Sequence, residues 1–123
     1  MVGADGISLI NTLLAMSINI ETRKPNIANN TGGLSGPAIR PVAVRMVYQA
    51  SQAVKIPVLG MGGIINGSDA IEFMIAGATA VSIGSGTLRN PYTAVETIKG
   101  IEEYMNRHDI EDINSIIGTV ELN

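Results

Sequence analysis

Three short apolar runs punctuate the chain: Ile7–Ile10, Ile56–Leu59 and Ala80–Ile83. Each is bounded by glycine or polar turn residues and is too short for a helix, so each reads as a buried strand of a parallel sheet. Between them the apolar period lengthens. Ile39, Val42, Ala43, Met46, Val47 and Ala50 recur at helical spacing. They predict a helix opened by Ser35-Gly36-Pro37, with Ser35 as N-cap and Pro37 in the first turn, running to about Ala53. A second helix is predicted from a Ser68-Asp69 cap through Ala76, stopped by Gly77. A third follows Pro91, with Val95, Ile98, Ile101 and Met105 on its apolar face, and a last short helix spans about Asp112 to Ile117. Leu13 to Leu34 has no helical period. Two extended arms, Ile18–Glu21 and Asn26–Ala28, suit a small hairpin inside a lid or binding loop.

The order is strand, loop, helix, strand, helix, strand, helix. Such alternation means βαβ units, right-handed crossovers and an α/β fold whose three strands lie parallel and adjacent in chain order. Composition adds one feature. Charged residues are only 15% of the 123, against 46% hydrophobic. A small domain has much surface to present to water, so part of its apolar surface expects a partner or a further segment. The net charge of −3, with no basic stripe or aromatic platform, speaks against nucleic-acid binding. The absence of cysteine removes disulfides, Cys-ligated metals and a thiol nucleophile, and fits a cytoplasmic protein. Met1-Val2-Gly3-Ala4-Asp5 lacks the regions of a signal peptide, and no apolar run is long enough to span a membrane.

The chemistry concentrates in glycine turns that follow strands. Gly62-Gly63 follows Val58-Leu59, and Gly84-Ser85-Gly86 follows Val81-Ser82-Ile83. Glycine lets backbone approach a ligand closely, and exposed amides at such turns suit a phosphate; in (β/α)₈ barrels the phosphate site often lies after strands seven and eight. The alternative is that these glycines only make tight turns. Gly32-Gly33-Leu34-Ser35-Gly36, before the Pro37 helix, is either a third ligand-facing segment or a hinge. Asn11-Thr12, at the end of the first strand, can hydrogen-bond a planar polar substrate or close the strand with an Asx-type turn. Arg23-Lys24 reads as a solvated corner, and the lone His108 as a surface residue. Asp69 and Glu72 suit the first turn of a helix better than acid–base roles. No nucleophile–base pair and no metal-ligand cluster is visible.

Ile10-Asn11-Thr12-Leu13-Leu14, Thr31-Gly32-Gly33-Leu34-Ser35-Gly36-Pro37-Ala38-Ile39-Arg40-Pro41 and Pro57-Val58-Leu59-Gly60-Met61-Gly62-Gly63-Ile64 resemble dihydroorotate dehydrogenase. The likeness is greatest to the catalytic subunit of the bacterial, NAD-linked class. The resemblance implies a partial (β/α)₈ TIM barrel: residues 1–123 as its C-terminal three βα units, without the N-terminal barrel half. It implies FMN as cofactor and oxidation of dihydroorotate to orotate in pyrimidine biosynthesis. It also implies an electron-transfer subunit carrying FAD and an iron–sulfur cluster. The family's flavin contacts fall on Ile10, Gly36, Gly62, Gly63, Gly84 and Ser85, and its pyrimidine contacts on Asn11 and Thr12. Position 85 is usually threonine in the family; Ser85 keeps the hydroxyl and the amide. Gly86-Thr87-Leu88 departs from the usual continuation. The family's catalytic cysteine and flavin-side lysine lie upstream of this segment, so no catalytic residue is expected here and the chain alone should be inactive. Three strands do not close an eight-stranded barrel, so a homo-oligomer is expected. The other readings are a non-catalytic, phosphate-binding or self-associating half-barrel, and a relative of dihydropyrimidine dehydrogenase, which iron–sulfur cysteines would mark.

Overall fold

The computed structural model describes residues 3–123. Met1 and Val2, where the segment read for a signal peptide begins, lie outside the described residues. A three-stranded sheet forms the centre: β1 (Ile7–Leu9), β6 (Val58–Met61) and β7 (Ala80–Ser82), in the order β1-β6-β7 and parallel throughout. Four further short strands lie between β1 and β6: β2 (Leu13–Ala15), β3 (Ile18–Asn19), β4 (Lys24–Pro25) and β5 (Gly32–Leu34). The helices are α1 (Arg40–Ala53), α2 (Gly67–Ala76), α3 (Ser85–Arg89) and α4 (Thr93–Arg107). Single 3₁₀ turns cover Pro37–Ile39 and Ile113–Ile116. The alternation of parallel strands and helices agrees with the α/β fold expected from the pattern.

The pleat sorts the sheet into two different faces. Val58 and Gly60 point to the helices, where they join Phe73, Ala43, Val47, Ala70, Ala76 and Ala78 in the core. A methyl on Gly60 would meet the Phe73 ring at 2.7 Å, so the ring occupies the space a side chain would take. The register pairs Ser8 with Leu59, and Leu59 with Ala80, on the opposite face. Among the described residues no helix covers that face: Ser8 and Ala80 are exposed and Leu59 is half-buried.

Local chemistry moves several boundaries. Residues 13–34 form an arm rather than one hairpin: β2 pairs antiparallel with β5, and β3 with β4 beyond them. The expected arm Ile18–Glu21 is shortened to β3, and its partner is Lys24–Pro25 instead of Asn26–Ala28. Asn19 explains this: its carboxamide accepts from the amides of Glu21 and Thr22, closing a tight turn directly after β3. Ser35 is not the cap of the first helix. Gly36, at φ +88°, turns the chain between Ser35 and the Pro37–Ile39 turn, and that turn has no side-chain cap. Nor do Ser68 and Asp69 cap α2. Asn66, in extended conformation, accepts from the Asp69 amide at 2.9 Å and is the N-cap; Ser68 and Asp69 lie inside the helix. Only the second half of the expected face of α4 turns inward: Ile101 packs against the core and Met105 is half-buried. Thr93 and Thr97 are buried while Val95 and Ile98 are more than half exposed. α2 and α4 cross at Gly67 and Gly100, where a methyl on Gly67 would lie 2.6 Å from the Gly100 backbone. Backbone approach this close, not apolar periodicity, selects the face.

Candidate functional site

The strands end at one rim, and the turns that follow them enclose a cavity of about 820 Å³. The volume lies in the range of small-molecule and cofactor sites. β1 leads into Ile10, Asn11 and Thr12; β6 leads into Gly62 and Gly63; β7 leads through Ile83 into Gly84 and Ser85. All of these except Ile83 line the cavity, as does Gly36 from the turn before α1. The structure thus brings together all eight residues that the resemblance assigns to flavin and pyrimidine, whereas Gly32, Gly33, Leu34 and Gly86 of the other candidate turns do not line the cavity. Ser8, Leu9, Ser35, Ile39, Met61, Ser82, Thr87 and Leu88 complete the wall. Apart from Ser35, which belongs to the Gly32–Gly36 candidate segment, these were missed, although Ser8, Met61 and Ser82 follow from strand alternation once the open face is known.

The details of the wall come from backbone geometry. Gly62 and Gly63 have φ of +131° and +80°, a region side chains rarely adopt. A methyl on Gly63 would lie 2.5 Å from the Gly36 carbonyl oxygen, so the two turns touch. At Gly36 and Gly84 an added methyl would meet nothing within 4 Å. Both open onto free space, and a ligand can come against bare backbone there. The Leu9–Ile10 peptide is cis, with Ile10 buried in the core beneath. The Asn11 carboxamide accepts from the Thr12 amide at 2.7 Å, while both side chains remain exposed. The Thr87 hydroxyl donates to the Gly84 carbonyl at 2.8 Å and steadies the turn entering α3.

None of the described residues lining the cavity carries a charge. Amides, hydroxyls and one carboxamide are its polar groups, so an anionic ligand would be held by hydrogen bonds rather than by an ion pair. Among the described residues there is no cluster of metal-ligating side chains and no helix long and apolar enough to cross a membrane. Arg23, Lys24 and His108 are exposed and away from the cavity.

One cluster stands directly behind the turns. The Asp69 carboxylate is 6% exposed. One of its oxygens accepts from Arg40 Nη1 and the other from the Ile65 amide at 3.0 Å. Arg40 Nε lies 3.2 Å from the exposed Glu72 carboxylate, an ion pair without hydrogen-bond alignment. Asp69 therefore does more than complement a helix dipole. The sequence signal was present, an arginine in the Gly36 segment and an acid after the Gly62-Gly63 turn, but only the fold shows that they meet.

Parallel strands ending in glycine turns around a cavity define an α/β protein whose cavity lies at the carboxyl ends of the strands, where (β/α)₈ barrels bind their ligands. The comparisons narrow this. The dihydroorotate dehydrogenase family matches residues 1–105, and the chain belongs to that family. It is 60% identical over 116 residues to the dihydroorotate dehydrogenase B (NAD(+)) catalytic subunit of Alkaliphilus oremlandii, covering 94% of this chain and 38% of that protein. It is 58% identical over 119 residues to the same subunit of Lachnoclostridium phytofermentans, covering 97% and 40%. A dihydroorotate dehydrogenase from Eimeria tenella, solved in complex with ferulenol, superposes with a TM-score of 0.79 at 26% identity, over 95% of this chain and 31% of that one. The chain spans about two fifths of the length of the curated relatives it matches.

Proposed function

We propose that residues 1–123 are the C-terminal part of an FMN-dependent dihydroorotate dehydrogenase that oxidises dihydroorotate to orotate in pyrimidine biosynthesis. In the whole enzyme Ile10, Gly36, Gly62, Gly63, Gly84 and Ser85 hold FMN, and Asn11 and Thr12 hydrogen-bond the pyrimidine. The N-terminal barrel half supplies the remaining wall. The setting is the cytoplasm, and the electron acceptor is a partner subunit carrying FAD and an iron–sulfur cluster. The observation that carries this reading is convergence. Eight residues drawn from four separate segments line a single cavity, and the relatives are catalytic subunits of this enzyme.

The residues present fit the cofactor. Gly36 and Gly84 leave open space where a side chain would stand, which suits close approach of a phosphate to amides. Ile10, Ile39 and Met61 give the cavity an apolar floor for a planar ring. FMN, when bound, supplies the hydride acceptor for the dihydropyrimidine. The chain's own part is to bind and orient: backbone amides toward phosphate, the Asn11 carboxamide and Thr12 hydroxyl toward the pyrimidine. A base must also remove a proton from the substrate. The cysteine that does so in this class has no counterpart here, since the chain contains none. Acid–base catalysis typically contributes about 10²–10⁴-fold, so the chain by itself is expected to be inactive.

The test is fluorescence titration of FMN with the purified chain, followed by an assay with dihydroorotate. Saturable quenching of the flavin without turnover is the expected result. Absence of saturable quenching removes the flavin assignment, and enzymatic turnover by the chain alone removes the division of labour.

A further inference from the structure

We propose that Asp69 and Arg40 are positioning residues for the cavity, a part-buried clamp that sets the spacing between the Gly36 turn and the Gly62-Gly63 turn. The proposal rests on the flavin-site reading above, but its geometric half stands without it. Neither side chain lines the cavity. Their effect on it passes through three linked contacts.

The first is at Asp69. Its carboxylate is bound from two directions: by Arg40, at the start of α1, and by the Ile65 amide, two residues beyond Gly63. One buried group thus joins the element after the Gly36 turn to the loop after the Gly62-Gly63 turn. The second is at Asn66, whose carboxamide accepts from the Asp69 amide at 2.9 Å and fixes the carboxylate at the head of α2. The third is the contact between the turns. The Gly36 carbonyl and Arg40 Cβ are the nearest neighbours of a Cβ built on Gly63, at 2.5 and 3.0 Å. The arginine therefore contributes twice, its stem as the wall of the Gly63 turn and its guanidinium as the tie to Asp69.

The cost of breaking such a tie follows from its burial. An unpaired buried carboxylate such as that of Asp69 is strongly unfavourable, while the part-exposed guanidinium of Arg40 is free to turn to water, so the groups left behind rearrange. The nearest backbone free to move with them is the loop through Ile65, and with it the Gly62-Gly63 amides. A cavity without charged side chains depends on amide placement for holding an anion, and small displacements of orienting groups cost affinity. Glu72 provides the contrast. It meets the same guanidinium but is half exposed and touches neither turn.

The experiment uses the 123-residue chain with FMN as the probe. Asp69→Asn should raise the FMN dissociation constant by roughly ten- to hundredfold, the loss that removing an orienting hydrogen-bond partner causes at metal sites. It should also shift the ¹⁵N–¹H resonances of Gly36, Gly62 and Gly63. Arg40→Ala should do the same, Arg40→Lys should recover part of the affinity, and Glu72→Gln should leave affinity and the three resonances unchanged. If Asp69→Asn does not fold, the two Arg40 variants carry the test alone. The clamp is overturned if the glycine resonances stay in place when either partner is changed, or if affinity falls only as far as Glu72→Gln lowers it. Absence of FMN binding by the unmodified chain would instead remove the flavin reading, and the glycine resonances would still decide the clamp.

Discussion

At the scale of single residues, the cavity wall is built from positions where a side chain is excluded for different reasons, and substitutions should separate them. Gly63→Ala meets two obstacles: a φ of +80° and the Gly36 carbonyl in the path of the methyl. Left-handed backbone costs an alanine roughly 1–2 kcal/mol, and a backbone oxygen at such range cannot yield without parting the two turns. Gly36→Ala has a similar φ but open space around the methyl, so only the conformational cost applies. Urea denaturation should show Gly63→Ala losing at least about 1 kcal/mol more than Gly36→Ala, given that overpacking costs about 1–3 kcal/mol. Equal losses would mean that the turns are not in contact. Asn66→Ala should cost about 1 kcal/mol through loss of the α2 cap, while Ser68→Ala should cost little. The sequence made these glycines legible because turns after apolar runs are local features. The Asp69–Arg40 pair was not legible, since 29 positions separate two residues that each had an ordinary local role.

At the scale of elements, strands β1, β6 and β7 and the face of α1 were readable because periodicity and burial agree there. Ile39, Ala43 and Val47 are buried as their spacing predicts. α4 shows where the rule fails. Its apolar residues Val95 and Ile98 point outward, and Thr93 and Thr97 point in. The Thr93 hydroxyl shares its one proton between the Asn90 carbonyl at 2.7 Å and the Gly86 carbonyl at 3.1 Å, which offsets the penalty for its burial. The decisive contact is between two glycines 33 positions apart, which no window along one helix can reveal. Gly67→Ala therefore tests the packing. Alanine is favoured over glycine in a helix interior by about 1 kcal/mol, but Gly67 is the first residue of α2, where less is gained, and the methyl would strike the Gly100 backbone at 2.6 Å. The expected outcome is net destabilisation, seen as a lower urea midpoint with an unchanged slope. A neutral or stabilising effect would show that the helices separate without cost. Val95→Ser, on the exposed side of α4, should leave the midpoint within about 0.5 kcal/mol, as surface substitutions do.

At the scale of the whole molecule, the surface is larger than a compact monomer of this mass presents, and much of its exposed area includes large apolar side chains. A folded protein of 12.9 kDa is expected to expose about 6,300 Å². This chain exposes 8407 Å², roughly 2,100 Å² more. The excess is not spread evenly. Both outer strands of the sheet, β1 and β7, have an unpaired edge, and the face carrying Ser8, Leu59 and Ala80 has no covering layer. The arm does not fill the gap: none of residues 13–34 lines either cavity on that face, and Leu14 and Ile20 on it are 80% and 83% exposed. Val95 and Ile98 add an apolar stripe on α4. Open edges and broad apolar patches are normally covered in soluble proteins, and 15% charged residues offer little shielding. In the full-length relatives, over half of each protein lies outside the matched region and is the natural cover in the reading proposed above. When the chain is alone, a second copy is the simplest substitute, because a two-fold axis buries the same face on both partners; it competes with FMN for the cavity on that face, so the flavin titrations belong at chain concentrations below those that give the dimer. A permanent interface of this kind buries more than about 2,000 Å² in total, comparable to the surplus on one chain. Sedimentation of the isolated chain at micromolar concentration should therefore give a dimer or larger species. Leu59→Lys, which places a charge on the uncovered face, should shift it toward monomer. A stable monomer of 12.9 kDa that binds no hydrophobic dye would show that the open face is tolerated in water, and self-association would then be excluded.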